Sequence, residues 1–262
     1  MISFYERTIG IVGFGFVGQT LYHFIAPEKR NNVIIYDTLH TEYESNLNAI
    51  SKCEVIFICL PSPTKNGRQD LSIIKKFIEH VLGQGFNGIF VIKSTVLEDL
   101  SEFMFYDNFV YNPEFLRQSN AVEDFANAYY HFLGGRADLV CKVESIYREY
   151  FTNLKFNFKY ISIKDAINLK YLNNIYKAYK VMFWNFVQEV TGNENKMYDL
   201  LRDAGACNSE QSVIYMDGKP GFGGKCFPKD ITAYNFEKQH SLTRFIIEYN
   251  KELRPDEMKE VL

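Results

Sequence analysis

The sequence predicts an α/β protein: a Rossmann-like doubly wound parallel sheet followed by an all-helical domain with one long helix. Three observations carry this expectation. Short apolar runs alternate with helical patterns from Thr8 to Ile161. The first run leads straight into Gly13-Phe14-Gly15-Phe16-Val17-Gly18. From Lys164 to Val190 the apolar residues recur at three- and four-residue intervals, with no Pro or Gly before Gly192.

Residues 8–13 (Thr-Ile-Gly-Ile-Val-Gly) read as a strand buried on both faces. A helical pattern covers Gln19 to Ile25, and Val33 to Tyr36 is the next strand, ended by Asp37. Strand, G-x-G-x-x-G, helix, strand and acid together form a dinucleotide-binding frame. Gly13 allows the tight turn, Gly15 lets the backbone approach a pyrophosphate, and Gly18 lets the helix pack on the strand. Phe16 and Val17 lie between them at the helix N-terminus, where the phosphate sits. Asp37 is placed to bond a ribose 2′-hydroxyl and to repel a 2′-phosphate, so the expected cofactor is NAD, not NADP.

Glu54 to Leu60 is a strand, closed by Pro61-Ser62-Pro63-Thr64. Loops at the carboxyl ends of such strands line the ligand crevice, which places Pro61 and Ser62 there. Leu71 to Leu82 reads as a helix. Phe90 to Lys93 is a strand with Ser94-Thr95 at its carboxyl end, so Thr95 faces the same crevice, as a helix N-cap, a catalytic group or both. Phe109 to Tyr111 is a strand followed by Asn112-Pro113-Glu114-Phe115-Leu116-Arg117. Ala121 to Ala126 is helical, His131 to Leu133 a strand, Asp138 to Phe151 a helix, and Phe158 to Ile161 the last strand.

The period switch near Ser162 is the expected boundary between an NAD-binding domain (1–162) and a helical central domain (163–262). The long helix of about 25 residues carries Lys170 and Asn174 on one face. A shorter helix covers Met197 to Ala204, and a final helical run covers Ile231 to Leu253. Before that run lies Gly221-Phe222-Gly223-Gly224-Lys225-Cys226-Phe227-Pro228-Lys229-Asp230. A cysteine at a helix start, flanked by Lys225 and Lys229, is suited to act as a thiolate. Read alone, the same stretch is a glycine-rich turn with an inert cysteine.

The totals limit the function classes. The 262 residues carry a net charge of −3, which gives no basic field for nucleic acid. The 23 Phe and 18 Tyr fit compositional drift better than a recognition surface. Five cysteines without metal-ligand spacing argue against a disulfide frame or a metal site, and for a reducing, cytoplasmic setting. No apolar run reaches membrane-spanning length, and no secretory leader pattern precedes the first strand.

Taken in order, GFGFVG with Asp37, FICLPSPTKNG with Asp70-Leu71, Lys93-Ser94-Thr95-Val96, Asn112 to Arg117, Leu169-Lys170-Tyr171 with Asn174, and GFGGKCFPKD resemble the motifs of the UDP-glucose/GDP-mannose dehydrogenase family. The resemblance implies oxidation of a nucleotide-sugar primary alcohol, such as that of UDP-glucose, to a carboxylate with two NAD+. It implies that Cys226 holds the aldehyde as a thiohemiacetal and then a thioester. Lys170 and Asn174 would stabilise the alkoxide and tetrahedral intermediates. Asp230 and Thr95 would position water or relay a proton, and Glu114 would act as general acid or base. Phe115, Leu116, Arg117, Gln118, Lys170, Asn174 and Gly223 would contact the substrate.

Three departures from the family pattern stand out. Gln118 stands where members carry Glu. No Arg occurs in Ser209-Glu210-Gln211-Ser212, where members have one. The chain ends at Leu262, where members continue into a second α/β domain that binds the nucleotide. The expectation is therefore a fragment, a minimal form or half of a split enzyme, with a separate nucleotide-binding domain or chain among its expected partners. The competing expectations are a non-catalytic NAD-binding and dimerisation module, and a β-hydroxyacid dehydrogenase, which would have no use for Cys226. The long helix, with an aromatic face of Tyr171, Tyr179, Phe183 and Phe186, is the expected homodimer surface.

Overall fold

The computed structural model describes residues 7–97, 107–207, 218–259 and 261. The chain forms two compact units, one of Met1–Ser62 with Leu71–Lys170, the other of Pro63–Asp70 with Tyr171–Leu262.

In the sheet unit, Gly13 to Asp37 follow the expected strand–turn–helix–strand order. Strand β1 is Ile9–Val12, α1 Phe16–Phe24 and β2 Val33–Tyr36. Short helices α2 (Thr41–Glu44) and α3 (Leu47–Ile50) lead to β3, Val55–Ile58. After the hairpin β4 (Thr64–Lys65) and β5 (Arg68–Gln69), the chain runs through α4 (Ser72–Gly83), β6 (Ile89–Ile92) and β7 (Phe109–Tyr111). It closes with α5 (Ala121–Ala126), β8 (His131–Gly135), α6 (Ala137–Tyr150) and β9 (Phe158–Ile161). Seven of these strands make one sheet in the order β2-β1-β3-β6-β7-β8-β9. β1, β3 and β6 are buried at every position, as continuous Val/Ile/Phe runs covered on both faces require. The core on one face joins Ile9, Ile11, Phe57 and Val91 to Leu139, Val143 and Tyr147 of α6.

Two strands depart from the expected parallel sheet: β8 pairs antiparallel with β7, Val110 opposite Gly135, and β9, parallel to β8, runs against the other five as well. An apolar strand reads the same in either direction; only the connection sets the direction. Here that connection holds one six-residue helix.

The second unit holds most of α7, a 29-residue helix from Ile163 to Thr191. It also holds α8 (Glu194–Asp203), α9 (Phe227–Lys238), α10 (Ser241–Leu253) and α11 (Pro255–Lys259). Ile175, Ala178 and Met182 of α7 pack with Phe222, Ile231, Ile246, Ile247 and Met258. The final run expected over 231–253 is two helices. Gln239 sits in the left-handed region at φ 46°, and His240 Nδ1 accepts the Leu242 amide to start α10. The β4–β5 hairpin lies within Pro61 to Leu71, expected to be a loop. It turns on Asn66 (φ 49°) and Gly67 (φ 76°), and its Gly67 amide bonds the Val261 carbonyl at 2.9 Å.

Tyr171, expected on the exposed aromatic face, is fully buried within its unit; its hydroxyl accepts from Gln69 Nε2 at 3.0 Å. The exposed apolar stripe of α7 is instead Leu172, Tyr176, Tyr179, Phe183, Phe186 and Val190.

Candidate functional site

One group of candidate residues lies at the carboxyl ends of the sheet strands. Gly13 has φ +89°, and a Cβ there would lie 2.6 Å from the Cys59 carbonyl oxygen. A Cβ at Gly18 would lie 2.2 Å from the Gly13 carbonyl oxygen. Both glycines are therefore demanded by close approach of backbone. Gly15 is the N-cap of α1, and a Cβ there would meet nothing within 4 Å. No side chain caps this helix and no acid lies in its first turn, so the amides of Phe16 and Val17 open a helix suited to a pyrophosphate. Asp37 lies against this turn. Its Oδ2 accepts the Phe14 amide at 2.6 Å, and its Oδ1 accepts the Leu39 and His40 amides at 2.7 and 3.1 Å. Burial alone would raise the Asp37 carboxyl, but these amides and the His40 ring hold it below the usual range. A glycine turn, an uncapped helix and an ionised acid after the second strand fit a dinucleotide.

The neighbouring loops are tied to one another. Ser62 is buried and its Oγ donates to the Thr95 carbonyl at 2.6 Å, while Ser94 Oγ donates to the Leu60 carbonyl at 2.6 Å. Pro61 is exposed. Thr95 and Glu114 are both buried.

Lys170 Nζ donates to Glu114 Oε1 at 2.9 Å and to the Glu114 carbonyl at 2.7 Å. Glu114 Oε2 accepts the Leu116 amide at 2.7 Å. Burial would push the Glu114 carboxyl up, but the Lys170 ammonium, the Leu116 amide and Lys93 outweigh it and hold the group below the usual range. Glu114 is thus the counterion of Lys170. Phe115 is half-buried with Lys170 Nζ 5.8 Å from its ring centre, and Leu116 packs on the sheet core. Arg117 is exposed and grips Asp124 through Nη2 at 2.6 Å and Nε at 3.0 Å, and Gln118 is exposed beside it.

In the helical unit Cys226 is the N-cap of α9, half-buried and outside any disulfide. Pro228 sits in the first turn, where its missing amide hydrogen costs nothing. Four residues beyond the cysteine, Asp230 is 1% exposed; its Oδ2 accepts from Asn174 Nδ2 at 2.8 Å and its Oδ1 pairs with Lys229. Lys229 therefore faces the carboxylate, and Lys225 is the exposed cation beside the thiol. The glycine stretch is held by three buried side chains. Asn185 Oδ1 accepts the Gly221 amide, Asn250 bonds both the amide and the carbonyl of Phe222, and Arg254 donates to the carbonyls of Lys219 and Pro220. Gly223 is buried, and a Cβ there would meet the Arg254–Glu257 ion pair at 2.0–2.4 Å. Ser209 to Ser212 lie outside the described residues.

Cys53, Cys59 and Cys141 fall in strand or helix patterns that predict burial of all three, and the structure corrects this for Cys141. Cys53 is buried and Cys59 half-buried, and burial pushes both up to about 12. Cys141 is exposed, because α6 turns Leu139, Val140 and Val143 inward and leaves position 141 on the solvent face.

The NAD-binding domain of the UDP-glucose/GDP-mannose dehydrogenase family matches residues 38–151, and the central domain of the same family matches 164–252. The chain belongs to the UDP-glucose/GDP-mannose dehydrogenase family. Its cofactor is NAD. The UDP-glucose 6-dehydrogenases of Rickettsia bellii and Rickettsia felis are each 31% identical, over 71% and 80% of this chain and 45% and 50% of their own lengths. The chain thus spans about half the length of the curated relatives it matches. Among solved structures, a UDP-glucose dehydrogenase from Pyrobaculum islandicum superposes with a TM-score of 0.74 at 19% identity, over 96% of this chain and 69% of its own. A 3-hydroxyisobutyrate dehydrogenase from Mycobacterium tuberculosis superposes with a TM-score of 0.70 at 14% identity, over 96% and 95%. At such identities the likeness is one of fold.

Lys93, Asn112, Asn185, Asn250 and Arg254 carry the local geometry of this family member but drew no role from the sequence. A signal existed for Lys93, a cation closing a strand buried at every position. The two asparagines on helices look like ordinary polar positions.

Proposed function

We propose that this chain is the catalytic part of an NAD-dependent nucleotide-sugar 6-dehydrogenase with UDP-glucose as substrate. Residues 1–162 bind the cofactor, and 163–262 carry the cysteine loop and the dimer surface. The observation that supports this best is Cys226 at the start of α9, four residues ahead of an Asp230 fixed by Asn174.

NAD+ supplies the hydride acceptor for both oxidations. The primary alcohol loses its hydroxyl proton and a hydride to become an aldehyde. The Cys226 thiolate adds to the aldehyde carbon, and the resulting alkoxide takes up a proton as a thiohemiacetal. Loss of that proton and a second hydride leaves a thioester. Water hydrolyses the thioester, releasing the carboxylate and returning the thiol. Each alcohol thus yields one carboxylate and two NADH. Lys170 and Asn174 stabilise the alkoxide stages. Asp230, with Thr95, orients the hydrolytic water. Glu114, held ionised, serves first as the charge that orients Lys170. Phe115 to Gln118 and Gly223 contact the sugar nucleotide.

The exposed stripe of α7 recurs every three or four residues, the spacing of a helix-pairing seam, and supports a homodimer. Five cysteines outside disulfides fit a cytoplasmic enzyme. No helix among the described residues is long and apolar enough to cross a membrane. The alternative reading is a non-catalytic NAD-binding and dimerisation module or half of a split dehydrogenase. Incubation with UDP-glucose and NAD+, followed by mass spectrometry of the nucleotide sugar, separates the two: the enzyme makes UDP-glucuronate and the module leaves UDP-glucose unchanged.

A further inference from the structure

Lys93 closes β6 and is 3% exposed. Its Nζ donates to two neutral oxygens of Asn112, the Oδ1 at 2.8 Å and the carbonyl at 3.4 Å. Asn112 closes β7, and both ends of its amide group are bonded. Oδ1 also accepts the Tyr147 hydroxyl at 2.6 Å, and Nδ2 donates to the Phe132 carbonyl at 2.8 Å. Lys93 stands two residues before Thr95 and Asn112 two before Glu114.

We propose that Lys93 is a positioning residue: from beneath the carboxyl end of the sheet it ties the Thr95 loop to the Glu114 loop and sets a second cation against Glu114. Its role in turnover rests on the function proposed above.

The groups facing Lys93 come from several elements. They are Cys59 after β3, Glu114 after β7, His131 on β8, Tyr147 on α6 and Lys170 on α7. Burial keeps Cys59 and Tyr147 as neutral thiol and phenol, and it pushes His131 down to about 4. Glu114 stays ionised. Burial, aided by Lys170, brings Lys93 down to about 8, against the opposing pull of the Glu114 carboxylate. A buried ammonium held by neutral acceptors costs stability. A brace alone would be served better by an uncharged side chain, so the charge itself is what the site retains. Beside the Lys170–Glu114 pair it adds positive field where an alkoxide must be stabilised.

The test compares the full chain with Lys93→Met. In lysine 13Cε NMR the parent is expected to show one resonance, absent from the variant, that sits at the ammonium shift at pH 7 and titrates near 8; a Lys93 resonance at the neutral-amine shift at pH 7 would overturn the proposal. Because the folded-state pKa is depressed, the unfolded chain binds the extra proton between about pH 8 and the ordinary lysine value. Lys93→Met should therefore melt at or above the parent at pH 7, and that advantage should shrink as pH rises toward 10. A variant that melts lower at every pH makes Lys93 a plain brace and overturns the proposal. With UDP-glucose, the variant should lose about tenfold in kcat with KM little changed, and lose an alkaline limb near pH 8. Unchanged kcat and limb contradict the role in turnover. No turnover by the parent tells against the proposed function, while the titration and the melting difference still decide the charge.

Discussion

Lys170 donates to both the carboxylate and the carbonyl of Glu114, at 2.9 and 2.7 Å, and both side chains are less than a tenth exposed. The pair joins the long helix to the loop after β7. Lys170→Met leaves an uncompensated buried carboxylate and should cost about 3–5 kcal/mol in urea unfolding. Lys170→Met with Glu114→Gln should recover much of that loss. The folded-state pKa of Glu114 lies below its ordinary 4.5, so the unfolded chain takes up the proton first. The contribution of Glu114 is therefore complete above about pH 4.5 and is lost as pH falls through the lower folded value. Glu114→Gln should flatten this part of the acid limb. An acid limb identical to the parent's would refute the assignment.

The Asp37 carboxylate is fixed by three backbone amides beside the glycine turn. A 2′-phosphate there would meet like charge. NAD+ should bind more tightly than NADP+ in a calorimetric titration, and Asp37→Ser should narrow the gap. Equal or tighter NADP+ binding by the parent would contradict this.

Cys226 is expected to react with iodoacetamide ahead of the other thiols, as read by peptide mapping. The competitors are the exposed Cys141 and the half-buried Cys207, since burial suppresses Cys53 and Cys59. Cys226→Ser should stop the second oxidation and let enzyme-bound aldehyde accumulate. Normal turnover by that variant would rule out the thioester route.

The α7 stripe of Leu172, Tyr176, Tyr179, Phe183, Phe186 and Val190 should pair two chains. Light scattering should give a dimer mass that Phe183→Glu halves. A concentration-independent monomer mass for the parent would remove this surface from the account.

Much of the sheet unit was legible from residues. The bounds of β2, β7 and β9 were legible to the residue: β7 is buried at all three positions, as a strand covered on both faces requires, while β2 and β9 are the partly exposed edge strands of the sheet. The direction of β8 was not legible, since a strand's side chains do not encode which way it runs. Asn66-Gly67 did signal the β4–β5 hairpin, but its strands are two residues each and show no alternation. The break at Gln239 carries no glycine or proline to mark it. The site residues divide in the same way. Cys226 and the glycines stand out because few roles suit them. A Lys and an Asn on one helix face are ordinary polar positions when read alone, and the folded partners Glu114 and Asp230 give Lys170 and Asn174 buried roles.

The most direct measurement is the number of NADH formed for each UDP-glucose consumed, read at 340 nm against the sugar remaining. A two-step oxidation through Cys226 predicts two NADH per sugar for the parent, and at most one for Cys226→Ser, retained on the enzyme. One NADH per sugar from the parent, or none under saturating NAD+, would contradict it.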